Sequence, residues 1–156
     1  MRFRRLSQEE LFSLETEFKQ FLIIHEQYDE EWRKLASEHP EKAEKFIELF
    51  SDLVLAKIYE DVSFLIHYSS NMISFFDVRN DPMQAYHVKY TGEQKLDAAY
   101  QLNDLLTHHF DDLAFFKAAK NKIKEKADEV HELIEKGCEL SDEKTFQQFK
   151  QLFDGK

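Results

Sequence analysis

The segment THHFDD at residues 107–112 carries the residue types most able to do chemistry. On an α-helix, His108 shares one face with Asp111 and Asp112, which lie three and four residues further along. Imidazole and carboxylate groups bind Zn²⁺ or a pair of metal ions, so these three residues are a candidate metal site, with a metal-dependent hydrolase as the alternative function. No HExxH motif or second His-Asp cluster adds a further ligand. The other interpretation is therefore a helix end whose acids and histidine face solvent.

Two further histidines, His67 and His87, fall in segments whose alternating pattern predicts β-strands, and both side chains fall on one face of the sheet. In a simple meander they lie on the two outer strands, about 9–10 Å apart. Zn–N bonds are only about 2.0–2.1 Å long, so one metal ion cannot bridge this pair. We therefore expect these histidines at the surface or at an interface.

Cysteine and glycine usage narrows the chemistry further. Cys138 is the one cysteine, so no internal disulfide forms, and its place after Gly137 predicts the negative end of a helix, where a thiolate is disfavoured. Only three glycines occur, which excludes glycine-rich phosphate loops, and no G-x-S-x-G nucleophile elbow is present. The sequence accordingly predicts no catalytic residue and no cofactor.

Charged residues near the N-terminus suggest binding rather than catalysis. Arg2, Arg4 and Arg5 are expected to bind an acidic patch, either of a partner or of the protein itself. Asp52 lies one residue off the apolar stripe of its predicted helix. We expect it to accept a backbone amide or to pair with Arg4 or Arg5, and we favour the arginine pair. The alternative is a catalytic base, for which the sequence shows no neighbouring acid or nucleophile.

The 156 residues carry 31 acidic against 21 basic side chains, a formal net charge of −10. An acidic surface repels phosphate backbones, so nucleic-acid binding is disfavoured. No apolar run approaches the roughly 18 residues of a membrane span, and the N-terminus lacks the apolar stretch of a signal peptide. With its lone cysteine, the chain is expected to be a cytoplasmic protein of a single domain, 1–156.

Apolar periodicity predicts the elements that must position these residues. Three helices come first, the first opened by a capping box at Ser7 to Glu10 and the third by Pro40. Three strands with short turns then predict an antiparallel meander, and three more helices follow, with Gly137 as a C-cap and Ser141 as an N-cap. The predicted bounds are helices 8–24, 30–38 and 41–60, strands 62–68, 72–79 and 84–90, and helices 93–110, 122–136 and 142–153.

The grouping of helices, strands and helices predicts an α+β fold. A break in the helical pattern is expected near Asp111 to Phe116. Phe75 and Phe76 are consecutive in one strand, so their rings must face opposite sides of the sheet. One of them therefore meets a second layer, a helix or a partner.

Three stretches of the chain resemble an uncharacterised family of bacterial proteins, a domain of unknown function found chiefly in the Bacteroidota. They are MRFRRLSQEEL, EEWRKLASEHPEKAEKFIELFSDLVL and IEKGCELSDEKTFQQF, and the segment AFFKAAK is a further shared block. The resemblance implies a small cytoplasmic bacterial protein. It implies no activity, cofactor or catalytic residue.

Three functions remain open at this point. The first is a non-enzymatic interaction or regulatory protein, which presents an acidic helical face or a sheet edge to a protein partner or to a second copy of itself. The alternative is a metal-dependent hydrolase that uses His108, Asp111 and Asp112. A weaker alternative is an acidic mimic of nucleic acid.

Overall fold

The computed structural model describes residues 1–155 and contains two compact units, Met1–Ile58 and a second that begins at Tyr59. Within the described residues there are seven α-helices and five β-strands. An α+β fold, as the sequence predicts, is confirmed. The number of independently folding domains stays a prediction.

The first unit is helical. Its elements are α1 (Gln8–Ser13), α2 (Glu15–Ile24), α3 (Asp29–Glu38) and α4 (Pro40–Glu60), and α4 continues past the end of the unit. The predicted capping box is confirmed, because the Ser7 hydroxyl accepts the Glu10 amide and the Glu10 carboxylate accepts the Ser7 amide. The single helix expected over 8–24 is broken at Leu14, whose ψ of 24° departs from helical geometry.

Aromatic rings hold this unit together. Phe18 and Phe21 of α2 both contact Phe50 of α4, with ring centroids 4.9 and 5.4 Å apart. Trp32 of α3 meets Phe18 edge to face at 5.5 Å and Phe46 at 6.3 Å. Each such pair stabilises by about 0.5–1.5 kcal/mol beyond the area that it buries. These contacts fix α2 and α3 on α4.

The second unit is an antiparallel sheet with helices, and its strand order is β4-β3-β2-β1-β5. Its elements are β1 (Phe64–Tyr68), β2 (Met72–Asp77), β3 (Met83–Tyr90), α5 (Leu102–His108), β4 (Leu113–Lys120), α6 (Lys126–Glu135), β5 (Glu139–Leu140) and α7 (Glu143–Asp154). The predicted three-strand meander is therefore too narrow. Strands β4 and β5 extend it on both sides.

The two faces of the sheet differ. Helices α5 and α7 cover one face, where Phe75 stacks on Phe149 at 4.9 Å and the core is fully buried. Phe76 lies on the other face, where it lines a cavity of about 90 Å³ with Leu133 of α6. The prediction that Phe75 and Phe76 face opposite layers is confirmed.

The predicted start of the helix over 93–110 is wrong. The chain from Thr91 to Gln101 has no regular structure, and α5 begins only at Leu102, where Gln101 and Asp104 form the cap. Leu96, Leu106 and Leu113 do share one core, as the helical spacing suggests, but they reach it from a loop, a helix and a strand. Helical spacing alone does not distinguish one continuous helix from three separate segments that bury the same side chains.

The turn after α6 follows the sequence more closely. Gly137 has a φ of 104°, and Cys138 and Gly137 donate their amides to Leu133 and Ile134 in a C-terminal capping motif. The predicted glycine cap is confirmed. The N-cap of α7 is Asp142 rather than Ser141, since the Asp142 carboxylate accepts the Thr145 amide at 2.9 Å.

Candidate functional site

The residues of the predicted metal site do not form a helical face. α5 ends at His108, and a single 3₁₀ turn, Phe110–Asp112, carries Asp111 and Asp112. His109, which lies between His108 and the 3₁₀ turn, has a φ of −135°. This breaks the helical relationship between His108 and the two aspartates on which the prediction depended. Within residues 1–155 no three His, Cys, Asp or Glu side chains are grouped to hold a metal ion. The structure therefore does not bring this trio together as a metal site.

The N-terminal arginines lie against acids of their own unit. Arg4 forms a two-pronged hydrogen bond with Glu10 at 2.8 and 2.9 Å, and Arg5 bonds Glu44. The guanidinium of Arg2 lies 4.7 Å from the centre of the Phe3 ring. Of the two acidic patches expected for these arginines, Arg4 and Arg5 thus contact one of the protein itself. A role in partner binding stays a prediction.

Asp52 and Ser51 hold the N-terminal segment on α4. The Asp52 carboxylate accepts the backbone amides of Arg2 and Phe3 at 2.7 and 2.9 Å. The Ser51 hydroxyl accepts the amide of Leu6 at 3.0 Å and donates to a helix carbonyl. Of the two expectations for Asp52, the amide contact is observed, while Arg4 and Arg5 pair elsewhere. Asp52 thus has a structural role.

The two strand histidines flank a serine that the sequence analysis overlooked. Register pairs His67 with Ser74 and Ser74 with His87, so all three lie on one face, as predicted for the histidines. The Ser74 hydroxyl is 2.7 Å from Nδ1 of His87, and burial lowers the pKa of His87. Hydroxyl and imidazole at this distance resemble a nucleophile and its base. Ser74 is only 4% exposed, however, so the pair joins β2 to β3.

Asp77 is a buried acid that pairs with a nearby cation. Asp77 forms a two-pronged bond with Arg79, whose guanidinium lies 4.8 and 4.9 Å from the rings of Phe64 and Phe146. Burial would raise the pKa of Asp77, but hydrogen bonds from Arg79 hold that pKa below its usual range. The ion pair therefore clamps α7 to the sheet.

Glu129 is 2% exposed and accepts the amides of Ile123 and Lys124 at 3.0 and 3.2 Å. Burial would raise its pKa, while these amides and the Lys120 ammonium lower it below its usual range.

Cys138 is also buried, and burial raises the pKa of its thiol. The direction agrees with the expectation of an unreactive thiol, and burial is its main cause.

A concave surface of the first unit lies between α2 and α3, and we term it the α2–α3 groove. It has a volume of about 780 Å³. Its apolar lining consists of Leu11, Phe18, Leu22, Ile23, Tyr28 and Trp32. Leu22 is buried, whereas Ile23 and Tyr28 are about half exposed. The groove therefore offers a firm apolar floor with two side chains open to a ligand.

A tight turn shapes one end of the groove. The Gln27 amide donates to the Leu22 carbonyl at 2.7 Å, and Glu26 has a left-handed φ of 61°. This turn reverses the chain after α2 and places Tyr28 at the start of α3. The four consecutive apolar residues from Phe21 to Ile24 were a signal for this site, because four successive residues point around most of a helix and cannot all face its core.

The rim of the groove is acidic. It carries the carboxylates of Glu15, Asp29, Glu30 and Glu31 against one cation, Lys19. Lys19 is already paired with Glu15 at 3.1 Å. Three of these acids occupy the first turn of α3, where the helix dipole stabilises them. The groove thus joins an apolar floor to a negatively charged border.

Residues 1–154 match the model of a family of unknown function, DUF6495, and the chain belongs to this family. This agrees with the uncharacterised family that the sequence resembles. No curated protein and no solved structure matches the chain. No helix among residues 1–155 is long and apolar enough to cross a membrane.

Proposed function

We propose that this member of a family of unknown function is a non-enzymatic interaction protein of the cytoplasm, and that its α2–α3 groove binds a basic amphipathic helix of a partner protein. The observation that carries the proposal is the apolar groove of about 780 Å³ with an acidic rim. A cytoplasmic setting is supported by the lone, buried Cys138, which needs no oxidising compartment.

The shape of the groove favours a helix. Helix-in-groove recognition places apolar side chains spaced at i, i+3 or i+4, and i+7 into a hydrophobic channel. Phe18 and Trp32 provide a rigid aromatic floor, because each ring is held by its contact with the other and with α4. A floor that is already ordered costs little conformational entropy on binding.

The charge of the rim selects the partner. Four carboxylates and one cation border the groove, and the cation is neutralised by one of those carboxylates. Lysine or arginine residues that flank the apolar face of a bound helix complete this arrangement. Such complementarity speeds association and excludes acidic segments.

Titration with a designed peptide tests this proposal. The full-length protein is mixed with an amphipathic helical peptide of about 20 residues that has leucines on one face and lysines beside them. Trp32 lines the groove and is the one tryptophan of the chain, so its emission reports occupancy directly. We expect a saturable change in emission, and about tenfold weaker binding when glutamate replaces the lysines at low salt.

Neighbouring isoleucines provide a matched pair of variants. Ile23 lines the groove and is 50% exposed, whereas Ile24 lies outside the lining and is 78% exposed. We expect Ile23→Ser to weaken peptide binding about tenfold, as for one of the few interface residues that dominate binding, and Ile24→Ser to leave it unchanged. Equal losses in both variants, or no saturable change with the lysine peptide, would overturn the proposal.

A further inference from the structure

Strand β4 forms an open edge of the sheet. The order β4-β3-β2-β1-β5 places it at one end, and it is eight residues long, whereas β5 at the other end has two. Every residue from Phe116 to Lys120 is exposed, and the Phe116 side chain is 52% exposed. Long edge strands with exposed apolar side chains pair readily with other strands.

The backbone of β4 is oriented for such pairing. Thr91 stands opposite Asp112 in the β3–β4 register and donates its amide to the Asp112 carbonyl at 2.8 Å. Hydrogen-bonded residues alternate along an antiparallel pair, so even-numbered residues of β4 point their amides towards β3. Lys117 and Ala119 consequently point theirs away from the sheet, whereas the Leu113 amide donates to the Phe110 carbonyl of the preceding 3₁₀ turn. The Lys117 and Ala119 amides are placed to bond a further strand.

We propose that two copies of this chain associate through β4, which pairs antiparallel with β4 of the second copy about a twofold axis at Phe116. The occupant is a second copy because the charges along β4 are self-complementary. Asp111 and Asp112 precede the strand, and Lys120 ends it, with a side chain that is 56% exposed although it also contacts Glu129 at 3.4 Å. An antiparallel copy brings the acidic end of each strand to the basic end of the other. The inference is independent of the α2–α3 groove.

Symmetry limits the registers that are available. A twofold axis normal to the sheet preserves its faces, so each residue must pair with one that lies on the same face. Leu113 packs on the α5–α7 side, which places the even-numbered side chains on the other face. Centring the axis on Phe116 stacks the two exposed phenylalanines and pairs Ala114 with Ala118. It also sets Asp112 opposite Lys120 twice.

The neighbouring register is unfavourable. An axis centred on Lys117 would place the two Lys117 ammonium groups directly opposite each other. Like charges in that position destabilise a pair of strands. Aromatic and opposite-charge pairs, which the Phe116 register provides, stabilise such a pair of strands.

Cysteine cross-linking distinguishes these registers. In the proposed dimer the two residues at position 116 form a non-hydrogen-bonded pair with Cα atoms about 4.5 Å apart, within the span of a disulfide. Residues at position 117 are diagonal neighbours about 7–8 Å apart, too far to be bridged. We expect Phe116→Cys to form a disulfide-linked dimer on mild oxidation and Lys117→Cys to form no disulfide link between the two copies. The wild type, with its buried Cys138, is the control.

Sedimentation of the full chain then tests the assembly without cross-links. Over about 1 μM to 1 mM we expect wild type to shift towards twice its 18.7 kDa mass, and Phe116→Lys to remain monomeric. Leu140→Lys is the matched control, since Leu140 is 61% exposed on the opposite edge. It should dimerise like wild type, and unchanged circular dichroism confirms folding. A monomeric wild type, loss of the dimer in Leu140→Lys alone, or cross-linking at 117 but not at 116 would overturn the proposal.

Discussion

Single polar side chains near the N-terminus hold the backbone in place, and Glu10 is the clearest case. Its carboxylate accepts two hydrogen bonds from Arg4 and one from the Ser7 amide. The Arg4 hydrogen bonds, followed by the Ser7 amide, lower the pKa of Glu10 to about 2. The sequence predicted the capping box, because Ser7 and Glu10 are only three residues apart. It did not predict which of several acids Arg4 would bind.

The pH dependence of stability tests this role of Glu10. Its pKa in the folded state is below the reference value of 4.5, so ionised Glu10 stabilises the fold above that pH. This stabilisation should disappear as the pH falls from about 4.5 to about 2. Glu10→Gln should therefore lower the unfolding free energy at pH 7 but have little effect near pH 2, as measured by urea unfolding. The same pH-dependent difference in Glu9→Gln, its exposed neighbour, would contradict this explanation.

Ser51 offers a second test at the scale of one residue. It is fully buried, and its hydroxyl satisfies the amide of Leu6, itself 2% exposed. Ser51→Ala leaves that amide without its acceptor, so we expect a loss of about 1–3 kcal/mol in unfolding free energy. Ser13→Ala is the control, because the exposed Ser13 hydroxyl bonds only its own helix. Equal losses in the two variants would exclude this role for Ser51.

Whole elements were predictable where the local sequence decides their conformation. The Pro40 helix start, the Gly137 cap and strands β1 to β3 all match short-range signals. Strand β4 was not predicted, because its sequence LAFFKAAK is rich in residues that favour helices. Its pairing with β3, from Met83 opposite Lys120 to Tyr90 opposite Leu113, overrides that preference. Such long-range pairing cannot be seen in a local pattern.

The turn between α6 and β5 gives a prediction at the scale of elements. Gly137 has a φ of 104°, and a Cβ atom there would lie 3.3 Å from Nε2 of His67. Gly137→Ala should cost about 1–2 kcal/mol of unfolding free energy, because an L-residue is strained in this conformation. If strain dominates, the cost persists in a His67→Ala background. Complete rescue there would show that the imidazole contact, and not the backbone, sets the cost.

At the scale of the whole molecule, neither proposed surface could be located from composition alone. The net charge of −10 indicates an acidic protein but does not say where the acid meets apolar side chains. The α2–α3 groove requires the turn at Glu26, and the β4 edge requires a strand that the local pattern hides. Both surfaces depend on how the chain turns and pairs with itself, which composition does not show.

Assembly of the whole molecule through β4 should appear in its thermal stability. Association of folded chains stabilises them by mass action, by about 2.7 kcal/mol when the free partner is at 100 times the Kd. The Tm of wild type should therefore rise with protein concentration, as followed by circular dichroism. Phe116→Lys should show a constant Tm, and Leu140→Lys should follow wild type, since Leu140 lies on the other edge. A wild-type Tm that does not change with concentration would count against a dimer formed by the folded chain.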